Sequence, residues 1–580
     1  MKTARFLNKS SFIKVFFHFI VFGFLICFAV SCSQQEKQFQ KIKKLGLVAD
    51  SCMVVTAHPL ASQVGVEIMK KGGNAIDASI AVQFALAVVH PSAGNIGGGG
   101  FMVLRMNEGE YDALDFRETA PLSAHRDLYL DSLGEVIDGL SLDGHLAAGV
   151  PGTVDGMWEA YSKYGSLTWE ELVQPAIDLA QNGFVLTQKE ADGLNSYTEK
   201  KASFNSQDPL YITAYKWQKG DTVVLNDLAM TLVKIRDEKR NGFYSGEVAD
   251  KIVDEMNRGG GIISYEDLIS YKSVWREPIT GNYKDYKLIS MSPPSSGGIC
   301  LYQMLKMIEP YPIKKWGFHS VESIHLMVEV ERRSFADRAQ HLGDPDFVNV
   351  SNGLMDSMYL LNKMNDYKEK HASFSETIFP GDPYPYESEE TTHYSIVDPY
   401  GNAVSVTTTL NASYGSGVMV GDAGFLLNNE MDDFSSKPGT PNLYGLVGGE
   451  ANAIQPKKRM LSSMTPSILE KNGELFMVVG TPGGSTIITG VFQTIMNVIE
   501  FDLSMQEAVS AGRFHHQWLP DEIKIETYRF NDKIIESLGK MGHQFNEVNS
   551  MNRIDAILVL PDGRYEGGAD PRGDDKAIGF

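Results

Sequence analysis

Cysteine is scarce in this chain: four in 580 residues, at positions 27, 32, 52 and 300. No CxxC pair occurs, which excludes a zinc ribbon or a thioredoxin-type motif, and so few thiols exclude a disulfide framework. One bridge between Cys52 and Cys300 is the most that a chain without its first residues can form. Positive charge is also outnumbered, with 52 Lys and Arg against 73 Asp and Glu and a net charge of −21. No basic patch with interleaved aromatics is present, so nucleic acid is not an expected partner. Fixed-period repeats are missing too. What remains is an ordinary globular composition, 43% hydrophobic and 22% charged, with ample core material.

Long apolar runs are absent, with one short exception. Lys2, Arg5, Lys9 and Lys14 precede an almost wholly apolar Val15–Val30. That run is shorter than the roughly 20 residues of a membrane helix. It ends in Ala29-Val30-Ser31-Cys32, small residues before a cysteine. A plain secretory site does not need the cysteine, whereas a lipoprotein site does, because the thiol takes the lipid. The expectation is therefore a signal peptide over 1–31 and lipidation at Cys32. A plain signal peptide or an uncleaved anchor is the alternative. Residues 32–52 then read as a tether, and the protein as exported, periplasmic or at the cell surface.

Helical spacing over Leu60–Lys71, stopped by Gly72-Gly73, predicts a helix. Asn74–Val89 predicts another, apolar nearly all round and so buried. Gly97-Gly98-Gly99-Gly100 and a strand over Phe101–Arg105 follow. Residues 150–280 read as mostly helical, and 360–390 as a polar, proline-bearing mobile loop. From Thr391 the texture changes. His393–Asp398 and Ala403–Leu410 flank the turn signal Pro399-Tyr400-Gly401-Asn402 and predict a hairpin that brings Thr409 opposite Thr391-Thr392. Asn472-Gly473 predicts a second hairpin between Pro466–Lys471 and Glu474–Gly480.

Four constellations carry candidate chemistry. The glycine run at 97–100 lacks the Lys-Ser/Thr of a P-loop and lies between helix and strand, so it predicts close backbone packing. His515-His516 point apart on any regular backbone and have no HExxH spacing, so no metal is expected there. Gly483-Gly484 opens a helix over Thr486–Glu500. Two residues without Cβ at a helix N-terminus present N–H groups and positive potential, the requirements of an oxyanion hole; a tight turn is the plain alternative. Ser462-Ser463 adds two hydroxyls. Thr391 is the fourth. A threonine hydroxyl needs a base, and a cut before Thr391 would place an α-amine, with an ordinary pKa of about 7.7–8.0, beside it.

The segment Thr391-Thr392-His393-Tyr394-Ser395 resembles the gamma-glutamyltranspeptidase family of N-terminal nucleophile hydrolases. So do GGNAIDA (72–78), HPSAGNIGGGGFM (90–102), DFRETAP (115–121), LLNNEMDDFSSKPG (426–439), RMLSSMTP (459–466), GTPGGS (480–485) and ADPR (569–572). The resemblance runs from about Met53 to the C-terminus. It implies an α+β fold, a four-layer αββα sandwich built jointly by two subunits. One inactive chain is cut at Glu390–Thr391 into a large subunit (53–390 after the tether) and a small catalytic subunit (391–580). Those subunits form one intertwined domain.

The resemblance also implies roles. Thr391 is the nucleophile and Thr409 orients it; Gly483 and Gly484 form the oxyanion hole. Arg117 pairs the substrate α-carboxylate with help from Ser462 and Ser463, while Asn411, Glu430 and Asp433 hold the α-ammonium. Residues 438–449 resemble a lid loop, with Tyr444 closing over the glutamyl group. The implied reaction is ping-pong, on glutathione and other γ-glutamyl compounds, with water or an amino acid or dipeptide as acceptor and no cofactor or metal. A relative acting on glutaryl or cephalosporin side chains, and a non-catalytic surface binding lipoprotein, are the alternatives. Retention of the nucleophile, the glycine pair and the ammonium-binding set together points to the γ-glutamyl reading.

Overall fold

The computed structural model describes residues 43–205, 216–378, 391–437, 439–440, 442–443, 445–446 and 448–580. Cys32, Glu390 and Tyr444, the whole of the expected signal peptide and residues 32–42 of the expected tether lie outside the described residues. The folded unit begins at Lys44.

It is a mixed α+β structure built on two seven-stranded sheets. In the first, the strand order is Lys576–Gly579, Met53–Thr56, Thr392–Val397, Ala403–Thr409, Gly99–Arg105, Tyr111–Asp115 and Val274–Arg276, with every neighbouring pair antiparallel. The second runs Leu47–Ala49, Tyr565–Gly568, Asp555–Val559, Glu474–Gly480, Ser467–Lys471, Tyr286–Ser290 and Ile279–Tyr283, again antiparallel throughout. Both expected hairpins are present, at the expected turns.

All six residues of Thr392–Val397 are buried, so both faces of this strand are covered, and the period of two sorts its side chains. Tyr394 and Ile396 join a core cluster with the helix Ala75–Val89. That helix starts on a capping box between Asn74 and Asp77, and all of its residues are buried. Its outward neighbours are further helices, which explains why its sequence shows no polar face. On the other side, Val397 joins Val55, Phe101, Val103, Val478 and Ile557, drawn from both sheets. The outer face of the second sheet meets the helices Gly297–Ile308, Val321–His341 and Thr486–Ile499.

Between the sheets runs a polar thread. Ser395 donates to the Asp555 carbonyl (2.9 Å), leaving its oxygen to accept from His393 Nε2 (3.1 Å), and His393 Nδ1 then accepts from Thr407 Oγ1 (2.9 Å). Burial pushes the His393 pKa down to about 3, so the ring is neutral. A Cβ on Gly480 would come within 2.3 Å of this ring, so the sheets can approach here only at a glycine. Similarly, a Cβ on Gly98 would lie 2.0 Å from the Thr409 carbonyl oxygen. The glycine run thus packs backbone on backbone, as expected.

Two expectations need correction. The tether placed over 32–52 is too long, because Leu47–Ala49 pairs with Tyr565–Gly568 and Gly46 donates to Glu566 (2.9 Å). Three residues held by main-chain bonds to an edge carry no readable period. Cys52 and Cys300 are free and buried, each in a different core cluster, so the possible disulfide does not form. The helix Ser357–Asn362 runs into the start of the expected mobile loop (360–390), and inside the loop the Ser375 carbonyl accepts from Trp518 Nε1 (2.9 Å); residues 379–390 lie outside the described residues.

Candidate active site

Thr391 immediately precedes the interior strand Thr392–Val397 and is 4% exposed. Thr392 pairs with Thr408, which sets Thr391 beside Thr409, as the hairpin reading predicts. Thr409 Oγ1 accepts from the Asn411 N–H (2.7 Å). Asn411 follows the strand with φ +74°, a left-handed turn that asparagine tolerates, and donates its amide to the Asn429 carbonyl (3.0 Å).

Thr391, Thr409, Arg117, Asn411, Glu430, Asp433, Ser462, Ser463 and Gly484 all line one small pocket of about 20 Å³. These residues come from segments up to several hundred positions apart. Its floor is a buried charge cluster. Arg117 Nη1 lies 2.6 Å from Glu430 Oε2 and 3.7 Å from Glu118 Oε2, and Nη2 lies 2.5 Å from Asp433 Oδ2. Burial opposes the charge on Arg117, yet the three neighbouring acids raise its pKa further. Burial pushes Glu118 up to about 8 against the pull of Arg117. Burial raises Glu430 and Asp433 as well. One guanidinium cannot balance three ionised acids in an apolar interior, and burial accordingly raises the pKa of all three.

The glycine pair faces Thr391 from the other sheet's end. Gly483 has φ +136° and Gly484 φ +54°, and the helix Thr486–Ile499 starts just beyond them. A Cβ on Gly483 would sit 2.3 Å from Asn552 Nδ2. Asn552 clamps the turn by donating to the Pro482 carbonyl and to Thr486 Oγ1, both at 2.9 Å. Two glycines at positive φ ahead of a helix N-terminus are the arrangement that the oxyanion-hole expectation calls for. Gly483 and Thr391 also line a second, much larger cavity of about 350 Å³. Thr391 therefore stands between two cavities.

Three contributing residues escape sequence reasoning. Glu118 adjoins Arg117 and was visible only as part of DFRETAP. Asn552, with φ +59°, reaches the glycine turn from a distant loop. Arg338, on the helix Val321–His341, donates to Ser463 Oγ (3.1 Å) and to Ser296 Oγ (2.9 Å), and Ser296 donates to the Ser462 carbonyl (2.6 Å). Arg338 thereby fixes the serine pair. No local pattern distinguishes it from the other arginines of that helix.

His515 and His516 turn apart, His515 to Thr489 and Gln517 and His516 to Asp521. Among the described residues, His325, Glu329 and His543 bring ligand-type atoms within 4.8 Å of one another. Those atoms are spent internally: His325 Nδ1 and His543 Nε2 share a hydrogen bond (2.8 Å), and Glu329 Oε2 pairs with Arg333 Nη1 (2.6 Å).

Comparison with known proteins places the chain in a family. Residues 61–580 match the family model described as Gamma-glutamyltranspeptidase. The chain is 45% identical over 555 residues to a glutathione hydrolase proenzyme of Escherichia coli (strain K12), covering 95% of each chain. Its fold resembles a cephalosporin acylase from Bacillus halodurans (TM-score 0.81, 26% identity, 94% of this chain and 99% of that one). It also resembles Helicobacter pylori gamma-glutamyltranspeptidase (TM-score 0.55, 43% identity, 59% of this chain and 97% of that one). The chain belongs to the gamma-glutamyltranspeptidase family.

Proposed function

We propose that this protein hydrolyses glutathione and other γ-glutamyl amides and transfers their γ-glutamyl group, after cutting itself at Glu390–Thr391. The observation that carries this reading is the pre-paired cluster of Arg117 with Glu430 and Asp433 beside Thr391. A substrate that enters must break those pairs. A glutamyl α-carboxylate takes over Arg117, with Ser462 and Ser463 assisting, while its α-ammonium takes over Glu430, Asp433 and Asn411. A zwitterion therefore exchanges partners and strands no buried charge. A glutaryl side chain supplies only the carboxylate and leaves the acids unmatched, a loss of about 3–5 kcal/mol for a broken buried pair. This disfavours the acylase reading despite the acylase-like fold.

In the first step, Thr391 Oγ1 attacks the Glu390 carbonyl, the acyl group shifts from N to O, and water hydrolyses the ester. The subunits would be residues 32–390 and 391–580, held together in a four-layer αββα sandwich. The freed α-amine, with an ordinary pKa of about 7.7–8.0, then serves as base. Thr391 attacks the γ-amide, the oxyanion rests on the Gly483 and Gly484 N–H groups, and the amine leaves. Water or an acceptor amine resolves the γ-glutamyl ester. Thr409 orients the nucleophile. The reading includes export and a lipid anchor at Cys32.

Denaturing gel electrophoresis tests the processing. The 580-residue, 64.1 kDa chain should yield a small subunit of roughly 21 kDa, by the share of residues 391–580, and Thr391→Ala should remain one band. A wild-type protein that also stays whole sinks the self-cleavage. In the same gel, fatty-acid label should follow the large subunit and vanish in Cys32→Ser; label retained there removes the anchor.

A further inference from the structure

The two serine hydroxyls of the Arg117 pocket have their polarity set by what they touch. Ser463 Oγ accepts from Arg338 Nη2 (3.1 Å), and Ser462 Oγ accepts from the Met464 N–H (3.1 Å). Neither a guanidinium nor a main-chain N–H can accept in return, so each hydroxyl turns its own hydrogen elsewhere. Both serines are buried and line the same pocket as Arg117. That wall therefore offers an entering ligand two O–H donors beside the Arg117 guanidinium.

Arg338 holds this polarity in place. It stands in the last turn of the helix Val321–His341 and is 4% exposed. Its Nε donates to Ser296 Oγ (2.9 Å) while Nη2 reaches Ser463. Two bonds from one planar group leave the guanidinium little freedom. Ser296 sits directly ahead of the helix Gly297–Ile308 and grips the Ser462 carbonyl twice, through its Oγ (2.6 Å) and its N–H (2.8 Å). The Ser462 N–H donates in turn to the Pro294 carbonyl (2.9 Å). One buried arginine thus reaches both serines, Ser463 by its hydroxyl and Ser462 by its main chain. Its charge acts on the same pocket: burial raises the Asp433 pKa, and Arg117 and then Arg338 oppose that rise.

We propose that Arg338 is a positioning residue of the donor site, and that by obliging Ser463 and Ser462 to donate it makes the site select a carboxylate over a carboxamide on the donor's α-carbon. The proposal rests on the γ-glutamyl reading. A carboxylate accepts at every lone pair, whereas a carboxamide brings an NH2 that meets a donor whether it faces the serines or Arg117. Without Arg338, the Ser463 hydroxyl can rotate and accept from that NH2, and the distinction weakens.

The test measures kcat and KM for γ-glutamyl-p-nitroanilide and for its α-carboxamide, in wild type, Arg338→Met, Arg338→Lys, Ser463→Ala and the double variant Arg338→Met/Ser463→Ala. Arg338→Met should raise KM for the anilide about tenfold while kcat stays within about twofold, the mark of lost binding rather than lost chemistry. The preference for carboxylate over carboxamide should fall by a similar factor and recover in part in Arg338→Lys, whose single ammonium cannot hold Ser296 and Ser463 in the same way. Ser463→Ala should resemble Arg338→Met, and the double variant should fall well short of the product of the two. A purely structural role lowers kcat for both donors and keeps the preference. An unmoved preference in Arg338→Met, or single effects that multiply, overturns the proposal. Should Arg338→Met fail to fold, Ser296→Ala keeps the cation and both pocket serines and should lower the preference several-fold; a preference unmoved there overturns it as well. Wild-type protein that turns over neither donor overturns the γ-glutamyl reading instead.

Discussion

The two cavities that share Thr391 are built on opposite plans. The Arg117 pocket has a volume of about 20 Å³ and is filled by its own ion pairs, whereas the Gly483-side cavity has about 350 Å³ and a largely apolar wall. On the γ-glutamyl reading, the first takes only a group that replaces both halves of its ion pairs, because an unpaired buried charge is costly. The second has room for groups of many shapes.

The sharpest way to break this contrast is Arg117→Ala. It removes the cation from a cluster that retains Glu118, Glu430 and Asp433, and kcat/KM for γ-glutamyl-p-nitroanilide should fall about a hundredfold or more. Self-cleavage should persist, since the cleaved bond carries no free glutamyl head group. Unchanged kinetics would take Arg117 out of the site. Gly483→Ala strikes the partition between the cavities. The φ of +136° and the 2.3 Å approach to Asn552 displace an oxyanion donor, and kcat should drop by about a hundredfold while KM moves little. A KM-only effect would place the oxyanion elsewhere.

The smallest expected effect concerns Glu118, whose carboxyl is pushed up to about 8 chiefly by burial. Below that pH it is neutral and leaves Arg117 available to the substrate carboxylate. Above it, a negative charge is added beside Arg117, so KM should rise several-fold between about pH 7.5 and 9.5, and Glu118→Gln should flatten the rise. The same shift has a stability sign. The folded pKa lies above the ordinary value of about 4.3, so the contribution is full below that value and is lost as pH rises through 8. A KM independent of pH would exclude Glu118 from the pocket's charge balance.

Much of this arrangement was legible in the chain. The turn at 399–402 and the Asn472-Gly473 hairpin are local signals, and strand pairing turns them into the position of Thr391 beside Thr409. The glycine pair announces a helix start for the same reason. The substrate cluster was legible only through resemblance, because Arg117, Glu430 and Asp433 have no spacing that betrays their meeting. Arg338 and Asn552 were not legible. Each acts through a side-chain contact to a segment far away in sequence, and each sits in a helix or loop whose own pattern is ordinary. The strand Leu47–Ala49 was missed because three main-chain-bonded residues carry no periodicity.

The strand order of the first sheet has a mechanical consequence. Met53–Thr56 lies between Lys576–Gly579 on one side and Thr392–Val397 on the other, so a strand from before residue 391 is gripped by two from after it. A nick ahead of Thr391 would cut the covalent connection and leave this interlock whole. The two fragments could then part only by unzipping a sheet from its middle, and would melt together as one cooperative body, at a temperature that falls on dilution because melting separates two chains.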